Sequence, residues 1–104
     1  MLLKYNINIQ NSAIASNLDR LVNQIYKLLP DWEEGIDWHA PLVGIIEEFA
    51  GMERLFLDHQ YILFSLLCKL EGLFTFTKEA DFFKFRKTIF ECLNLVSELI
   101  KLCR

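Results

Sequence analysis

The residues in this sequence best suited to acid–base or metal chemistry are its two histidines and its fourteen acidic side chains. Metal sites in helical proteins hold histidines and carboxylates at helical spacings such as HExxH or paired ExxH. Neither spacing occurs around His39 or His59. The nearby acidic residues fall on different faces of the predicted helices, as expected for solvated carboxylates and helix caps. We therefore predict no metal ion and no cofactor.

Nucleophilic catalysis and phosphate binding also lack a motif in this chain. No Ser or Cys has a His and an acidic residue placed for a triad, although residues distant in sequence can meet in a fold. The four glycines are scattered, so there is no glycine-rich phosphate loop. Cys68, Cys92 and Cys103 lack CxxC spacing and lie among apolar residues, which indicates buried, reduced thiols. We predict no catalytic residues.

One short motif points to an enzyme. Arg54 and His59 have the spacing Arg-x4-His. This spacing resembles the catalytic motif of HEPN-type ribonucleases, which are small, all-helical, usually dimeric domains that are often partnered by an antitoxin. The resemblance implies that Arg54 binds phosphate and that His59 assists attack by the ribose hydroxyl. It covers six residues, and Leu55 stands where the family usually has a polar residue; the alternative is a structural Arg54–Asp58 pair.

The elements that position these residues are predicted helices, and the last one, residues 78–103, organises the chain. Its apolar residues recur every three or four positions, which is the broad stripe of a core-facing helix. The stripe consists of Phe82, Phe85, Ile89, Cys92, Leu93, Val96, Leu99, Ile100 and Cys103. We expect Lys87 and Glu91 to form an i,i+4 ion pair on the opposite face.

Two apolar pairs on this helix do not fit the stripe. Phe83 and Phe90 lie seven residues apart beyond one edge, and Leu95 and Leu102 lie seven apart beyond the other. Either neighbouring helices of the same chain cover these pairs or another chain does. We expect partner binding through Phe83, Arg86, Lys87, Phe90, Leu95 and Leu102. Of the two pairs, Phe83 and Phe90 with their basic rim are the better candidates.

Residues 1–11 have a different pattern from the rest of the chain. Leu3, Tyr5, Ile7 and Ile9 alternate with polar residues, as in a strand. Since no second strand is predicted, we expect an extended arm. The alternatives are a frayed helical turn or a strand donated to another chain.

Three further helices are predicted, at about 16–29, 37–56 and 58–72. The first begins at the capping box Ser16–Asp19 and ends at Pro30. The second is capped by Asp37 and the third by Asp58, and Gly51 offers an alternative end for the second. The third helix is apolar nearly all round, so we expect it to be the buried central helix.

These elements predict an all-α fold over a single domain, 1–104. It is a small antiparallel four-helix bundle with a long C-terminal helix and an extended N-terminal arm. No apolar run reaches the roughly 18 residues of a membrane span, and the first ten residues do not resemble a signal peptide, so we expect a cytoplasmic protein. Usage rich in Asn, Ile, Lys and Phe suggests a bacterial or phage source.

Charge and hydrophobicity favour a protein partner. The net charge of −3 argues against nucleic acid as the main partner, although Lys84, Arg86 and Lys87 beside aromatic rings would suit a minor nucleic-acid contact within a larger complex. With 53% hydrophobic residues, the chain has more apolar surface than one small core needs. We predict a non-enzymatic interaction module: an accessory subunit, adaptor, inhibitor or immunity-type protein, or a homodimer.

Overall fold

The computed structural model describes residues 2–77 and 81–103, with side chains described for 11–77 and 81–103. The described residues form four α-helices: α1 (Leu2–Glu34), α2 (His39–Ala50), α3 (Gln60–Gly72) and α4 (Phe82–Cys103). A 3-10 segment, Glu53–His59, precedes α3, and another, Leu73–Thr75, follows it. No strand occurs within these ranges, and the predicted all-α fold is confirmed.

Each helix packs mainly against two others, in the cyclic order α1, α2, α3, α4 and back to α1. The aromatic contacts show that α1 and α4 run in opposite directions. Tyr26 of α1 meets Phe90 of α4, whereas Trp32, further along α1, meets Phe82 at the start of α4. The antiparallel four-helix bundle with a long C-terminal helix is therefore confirmed.

The core lies along the bundle axis and takes one apolar stripe from each helix. The predicted stripe of α4 is confirmed, with Phe85, Ile89, Cys92, Leu93, Val96 and Leu99 buried. The segment predicted as the second helix also buries a stripe, whose residues are spaced alternately four and three apart: Trp38, Leu42, Ile45, Phe49, Met52 and Phe56. Burial of each large side chain contributes about 1.5–3 kcal/mol before entropy is counted, so these stripes are the main stabilising term.

The extended arm predicted for residues 1–11 is wrong from Leu2 onward, because α1 begins there; Met1 lies outside the described residues. Leu3 and Ile7 also continue the three- and four-residue spacing of Ile14, Leu18 and Leu21, so the segment fits a helix as well as a strand. Extending an existing helix by one residue costs less than starting a new one. The capping box at Ser16 therefore lies inside α1.

The predicted end of the first helix at Pro30 is also wrong. Pro30 lies inside α1, which continues to Glu34. Proline in a helix interior costs about 3 kcal/mol, and here the next turn gains Trp32, whose ring lies 4.3 Å from Phe85 and 5.3 Å from Trp38 between centroids. These aromatic contacts offset the cost of the proline.

Gly35 ends α1 in its place. The amide of Gly35 donates to Trp32 O at 3.2 Å, and the amide of Ile36 donates to Asp31 O at 2.9 Å. Gly35 has φ +70°, the left-handed conformation that glycine adopts without strain. The helix therefore closes in a Schellman motif four residues after the proline.

The second predicted helix, 37–56, is divided into two segments. α2 ends at Ala50, and Gly51 takes the capping position, as in the alternative given by the sequence. Phe56 has non-helical dihedral angles (φ −124°, ψ 41°) within the 3-10 segment. At the start of α2 Trp38, one residue after the predicted cap, occupies the capping position without a side-chain cap hydrogen bond. Asp37 Oδ1 accepts a hydrogen bond from the His39 amide at 2.9 Å from just outside the helix.

The start of α3 also differs from the predicted one. α3 begins at Gln60, and His59 occupies the capping position without a side-chain cap hydrogen bond, so the Asp58 cap is wrong. α4 begins at Phe82, and the predicted start at Lys78 lies outside the described residues.

α3 is not the buried central helix that its composition predicted. Leu63, Leu66 and Leu70 are buried, but Tyr61 and Phe64 on the other side are largely exposed. A cyclic four-helix bundle has no central helix, so every helix keeps one face directed outward. The outward face of α3 is therefore apolar and uncovered by the described part of the chain.

Candidate functional site

The first exposed aromatic surface joins α4 to α1. We call it the α4 surface and define it as Phe83 and Phe90 of α4 with Tyr26 of α1. Phe83 is 80% exposed, Tyr26 47% and Phe90 38%. The Tyr26 ring stands edge-on to Phe90 with the centroids 6.2 Å apart, a favourable aromatic geometry. Phe90 is thus partly held by α1, while Phe83 has little cover.

A basic rim borders the α4 surface. The guanidinium carbon of Arg86 lies 5.5 Å from the centroid of the Phe90 ring, within cation–π range. Lys84 and Lys87 are exposed on the same helix. Glu91 binds Lys69 of α3 at 3.3 Å. The predicted ion pair between Lys87 and Glu91 is therefore wrong. The rim is therefore positively charged.

The second predicted pair does not form a matching strip. Leu95 is half-buried and packs against the core, whereas Leu102 is 42% exposed. Of the predicted partner-binding residues, the structure therefore leaves Phe83, Phe90 and Leu102 substantially exposed and brings Arg86 onto Phe90. The sequence missed Tyr26, because its position next to Phe90 depends on how α1 and α4 pack.

A second exposed apolar surface lies on α3 and the segment before it. We call it the α3 surface and define it as Leu57, Tyr61, Phe64 and Cys68. Leu57 is 61% exposed, Tyr61 69% and Phe64 67%, and the Cys68 thiol is free and exposed. Tyr61, Phe64 and Cys68 have the three- and four-residue spacing of one helix face, whereas Leu57 lies in the 3-10 segment before α3. The unusually wide apolar circumference of α3 was the signal in the sequence.

The residues of the enzyme hypothesis lie on the 3-10 segment. Arg54 is exposed and His59 is half-buried, and the chain leaves helical geometry between them at Phe56. No ion pair joins Arg54 to Asp58 among the described side chains, so the predicted structural pair is also absent there. Neither Arg54 nor His59 lines any of the three depressions described next.

The depressions are shallow and differ in character. A groove of about 350 Å³ between α1 and α2 is lined by Gln24, Lys27, Asp31, Pro41, Gly44 and Glu48. A second, of about 300 Å³, lies at the aromatic end of the bundle against Trp32, Trp38, His39 and Thr77. A small apolar cleft of about 90 Å³ lies beside Phe64, between the end of α2 and α3.

The titratable side chains of the described residues include no metal-binding cluster and one thiol with a strongly shifted pKa. No group of three or more His, Cys, Asp or Glu side chains is arranged there to hold a metal ion. Burial raises the pKa of the Cys92 thiol to about 12, with Lys69 lowering it and Glu91 raising it by smaller amounts. Since the thiolate is the nucleophilic form, Cys92 is chemically inert at neutral pH. Cys68 is exposed, which corrects the prediction that all three thiols are buried.

None of the helices in the described ranges has the length and apolar character needed to cross a membrane. Comparison with protein-family models, curated proteins and solved structures finds no match to this chain.

Proposed function

We propose that this protein is a non-enzymatic protein–protein interaction module, an accessory subunit, adaptor or inhibitor, that binds another protein through its α4 surface. The observation that carries the proposal is the exposure of Phe83, four-fifths of whose area is uncovered on a well-anchored helix. Two turns further along α4, Phe90 and its contact with Tyr26 extend the apolar surface onto α1. Neighbouring large aromatic residues that are exposed to solvent form an apolar patch, and such patches mark binding surfaces.

The size of the α4 surface suits the centre of an interface. Aromatic side chains carry about 150–250 Å² each, so the exposed parts of Phe83, Tyr26 and Phe90 amount to roughly 250–400 Å². Binding energy in interfaces is concentrated in a few aromatic and arginine residues. Arg86 is already placed on Phe90, so less side-chain entropy is lost when a partner covers both.

The charge of the rim defines the chemistry of the partner. Lys84, Arg86 and Lys87 would face acidic groups surrounding an apolar contact. A net charge of −3 for the whole chain favours such a protein over nucleic acid, whose phosphates the acidic remainder would repel. We place the protein in the cytoplasm, because the exposed free thiol of Cys68 persists best in a reducing compartment.

The test is affinity capture from cells of the source organism with three baits: wild type, Phe83→Glu and Val43→Glu. Val43 is the matched control, since it is 45% exposed on α2, outside the α4 surface. We expect a protein retained by wild type and Val43→Glu to be lost with Phe83→Glu, while circular dichroism shows unchanged helicity for all three.

Two results would overturn the proposal. One is retention of the same partner by Phe83→Glu and wild type. The other is capture that nuclease treatment abolishes, because the partner would then be nucleic acid.

A further inference from the structure

The groove of about 350 Å³ between α1 and α2, which we call the α1–α2 groove, carries charged side chains along its length. Arg20 of α1 binds Glu48 of α2 at 2.8 Å. Further along α1, Trp32 stacks on Trp38, the residue before α2, so the two helices are antiparallel. Asp31, which precedes Trp32, therefore lies towards one end of the groove, and Glu48 lies towards the other.

Asp31 marks this groove as a binding site. It is 6% exposed and is the one charged residue that is buried among the described side chains. Its carboxylate forms neither a hydrogen bond nor an ion pair with any of them. No fully buried polar side-chain atom in the described part of the chain lacks a partner, so the Asp31 oxygens still reach solvent, through the groove that they line. A carboxylate so placed is costly unless a positively charged donor binds it.

Lys27 is a second charge of the groove that has no partner in the structure. It lies one turn before Asp31 on the same face of α1, yet no ion pair joins the two residues. A lysine that precedes its acidic partner by four residues has the less favourable orientation for pairing on a helix. The two positions are about 6 Å apart along the helix axis, which leaves room for a group that carries both opposite charges.

We propose that the α1–α2 groove binds a free basic α-amino acid. The α-ammonium group of the ligand donates hydrogen bonds to the Asp31 carboxylate, and its α-carboxylate accepts them from Lys27. The side chain of the ligand extends over Gly44, where an added Cβ would meet no atom within 4 Å. It ends at Glu48, whose Oε2 accepts from Arg20 and whose Oε1 is left for the cationic end of the ligand.

The charges of the lining select this class of ligand. Lys27 supplies one positive charge, and Asp31 and Glu48 supply two negative ones, so a ligand with two positive charges and one negative charge complements them. A purely anionic ligand would meet two carboxylates. The volume is at the lower end of the roughly 300–1,000 Å³ of small-molecule sites. Because the groove is open to solvent, we expect a dissociation constant on the order of 1 mM.

The inference does not rest on the proposed function. The α4 surface lies where α4 meets α1, whereas the α1–α2 groove lies where α2 meets α1. Phe83→Glu should therefore leave ligand binding unchanged, and either proposal can fail without the other.

The ligand side is tested by titrating the full chain with three probes up to about 50 mM and following its amide resonances by NMR. The probes are L-arginine, agmatine, which lacks the α-carboxylate, and Nα-acetyl-arginine, which lacks the α-ammonium charge. We expect L-arginine to shift resonances along α1 and α2 at the groove. Each of the other two probes should bind at least tenfold more weakly, because each lacks one of the two charges that Lys27 and Asp31 recognise.

The protein side is tested with matched variants. Asp31→Asn should weaken L-arginine binding at least tenfold, whereas Glu33→Gln, which removes the same charge from an exposed position of α1, should not. The urea midpoint of Asp31→Asn should be unchanged or higher, because an unpaired carboxylate is removed. Lys27→Met should abolish the preference for L-arginine over agmatine. Gly44→Leu fits the open site, so it should keep its helicity and lose binding.

Four results would overturn the inference. The first is the absence of any L-arginine-dependent shift, and the second is agmatine binding as tightly as L-arginine to the wild type. The third is equal weakening by Asp31→Asn and Glu33→Gln, because binding would then depend on overall charge alone. The fourth is unchanged binding by folded Gly44→Leu, a result that decides the matter even if Asp31→Asn fails to fold.

Discussion

Alanine substitutions of Phe83 and Phe85 separate what partner binding requires from what the fold requires. Both residues lie on the first turn of α4, two positions apart, and the chemical change is identical. Phe85 is fully buried, with its ring centroid 4.3 Å from Trp32 and 4.9 Å from Trp38. Phe83 is four-fifths exposed. The difference in cost between the two substitutions therefore measures how far each ring is covered by the same chain.

The expected losses in the free energy of unfolding differ several-fold between the two substitutions. Phe85→Ala should lower the free energy of unfolding by about 3–5 kcal/mol, the usual cost of removing a buried phenylalanine. That is a large part of the roughly 5–15 kcal/mol available to a domain. For Phe83, the covered fifth of the ring is worth about 1 kcal/mol at 25 cal/mol/Å². The better helix propensity of alanine returns about 0.5 kcal/mol, which leaves a net cost of roughly 0.5 kcal/mol or less.

The assay is urea unfolding followed by circular dichroism at a few µM protein, where self-association does not contribute to stability. The slope of the unfolding free energy against urea should be unchanged in both variants, so that midpoints can be compared. A loss above about 2 kcal/mol for Phe83→Ala, close to that of Phe85→Ala, would mean that Phe83 is a core residue. The α4 surface would then lose its most exposed member, and the proposed function with it.

Two further predictions concern the backbone and pH. Gly35→Ala should lower the free energy of unfolding by about 1–2 kcal/mol, because φ is +70° there. Gly44 lies in open helical surroundings, so Gly44→Ala should be neutral or stabilising. Equal effects of the two substitutions in urea titrations would refute the backbone strain at Gly35. Between pH 9 and 12 the Cys92 thiol ionises in the unfolded chain but not in the folded one, so the free energy of unfolding should fall as pH rises, by up to about 1.4 kcal/mol per pH unit. Cys92→Ala should show a shallower decline in the same titration, and an identical slope would contradict the assignment.

The inward faces of α2 and α4 could be predicted from the sequence alone. The buried stripes of α2 and α4 were readable because the 3.6-residue period is a property of one helix, and its spacing needs no knowledge of neighbours. Leu42, Ile45 and Phe49 are buried for this reason, and so are Phe85 and Ile89. The outlying position of Phe83 followed from the same spacing.

The ends of the helices and the cover of each helix face depend on how the helices pack together. Pro30 lies inside α1 because the contacts of Trp32 with Trp38 and Phe85 outweigh a local cost of about 3 kcal/mol. The sequence could not weigh that cost against the contact of Trp32 with Phe85, because the two residues lie more than fifty positions apart. The same limit left Tyr26 unassigned beside Phe90.

The α3 surface shows this limit most clearly. A helix apolar nearly all round has no polar face to mark the side that meets water, so its sequence predicted a central position. In a cyclic four-helix arrangement no such position exists, and Tyr61 and Phe64 are left outside. Periodicity states how much apolar surface a helix carries, and the packing of the other helices decides how much of it remains exposed.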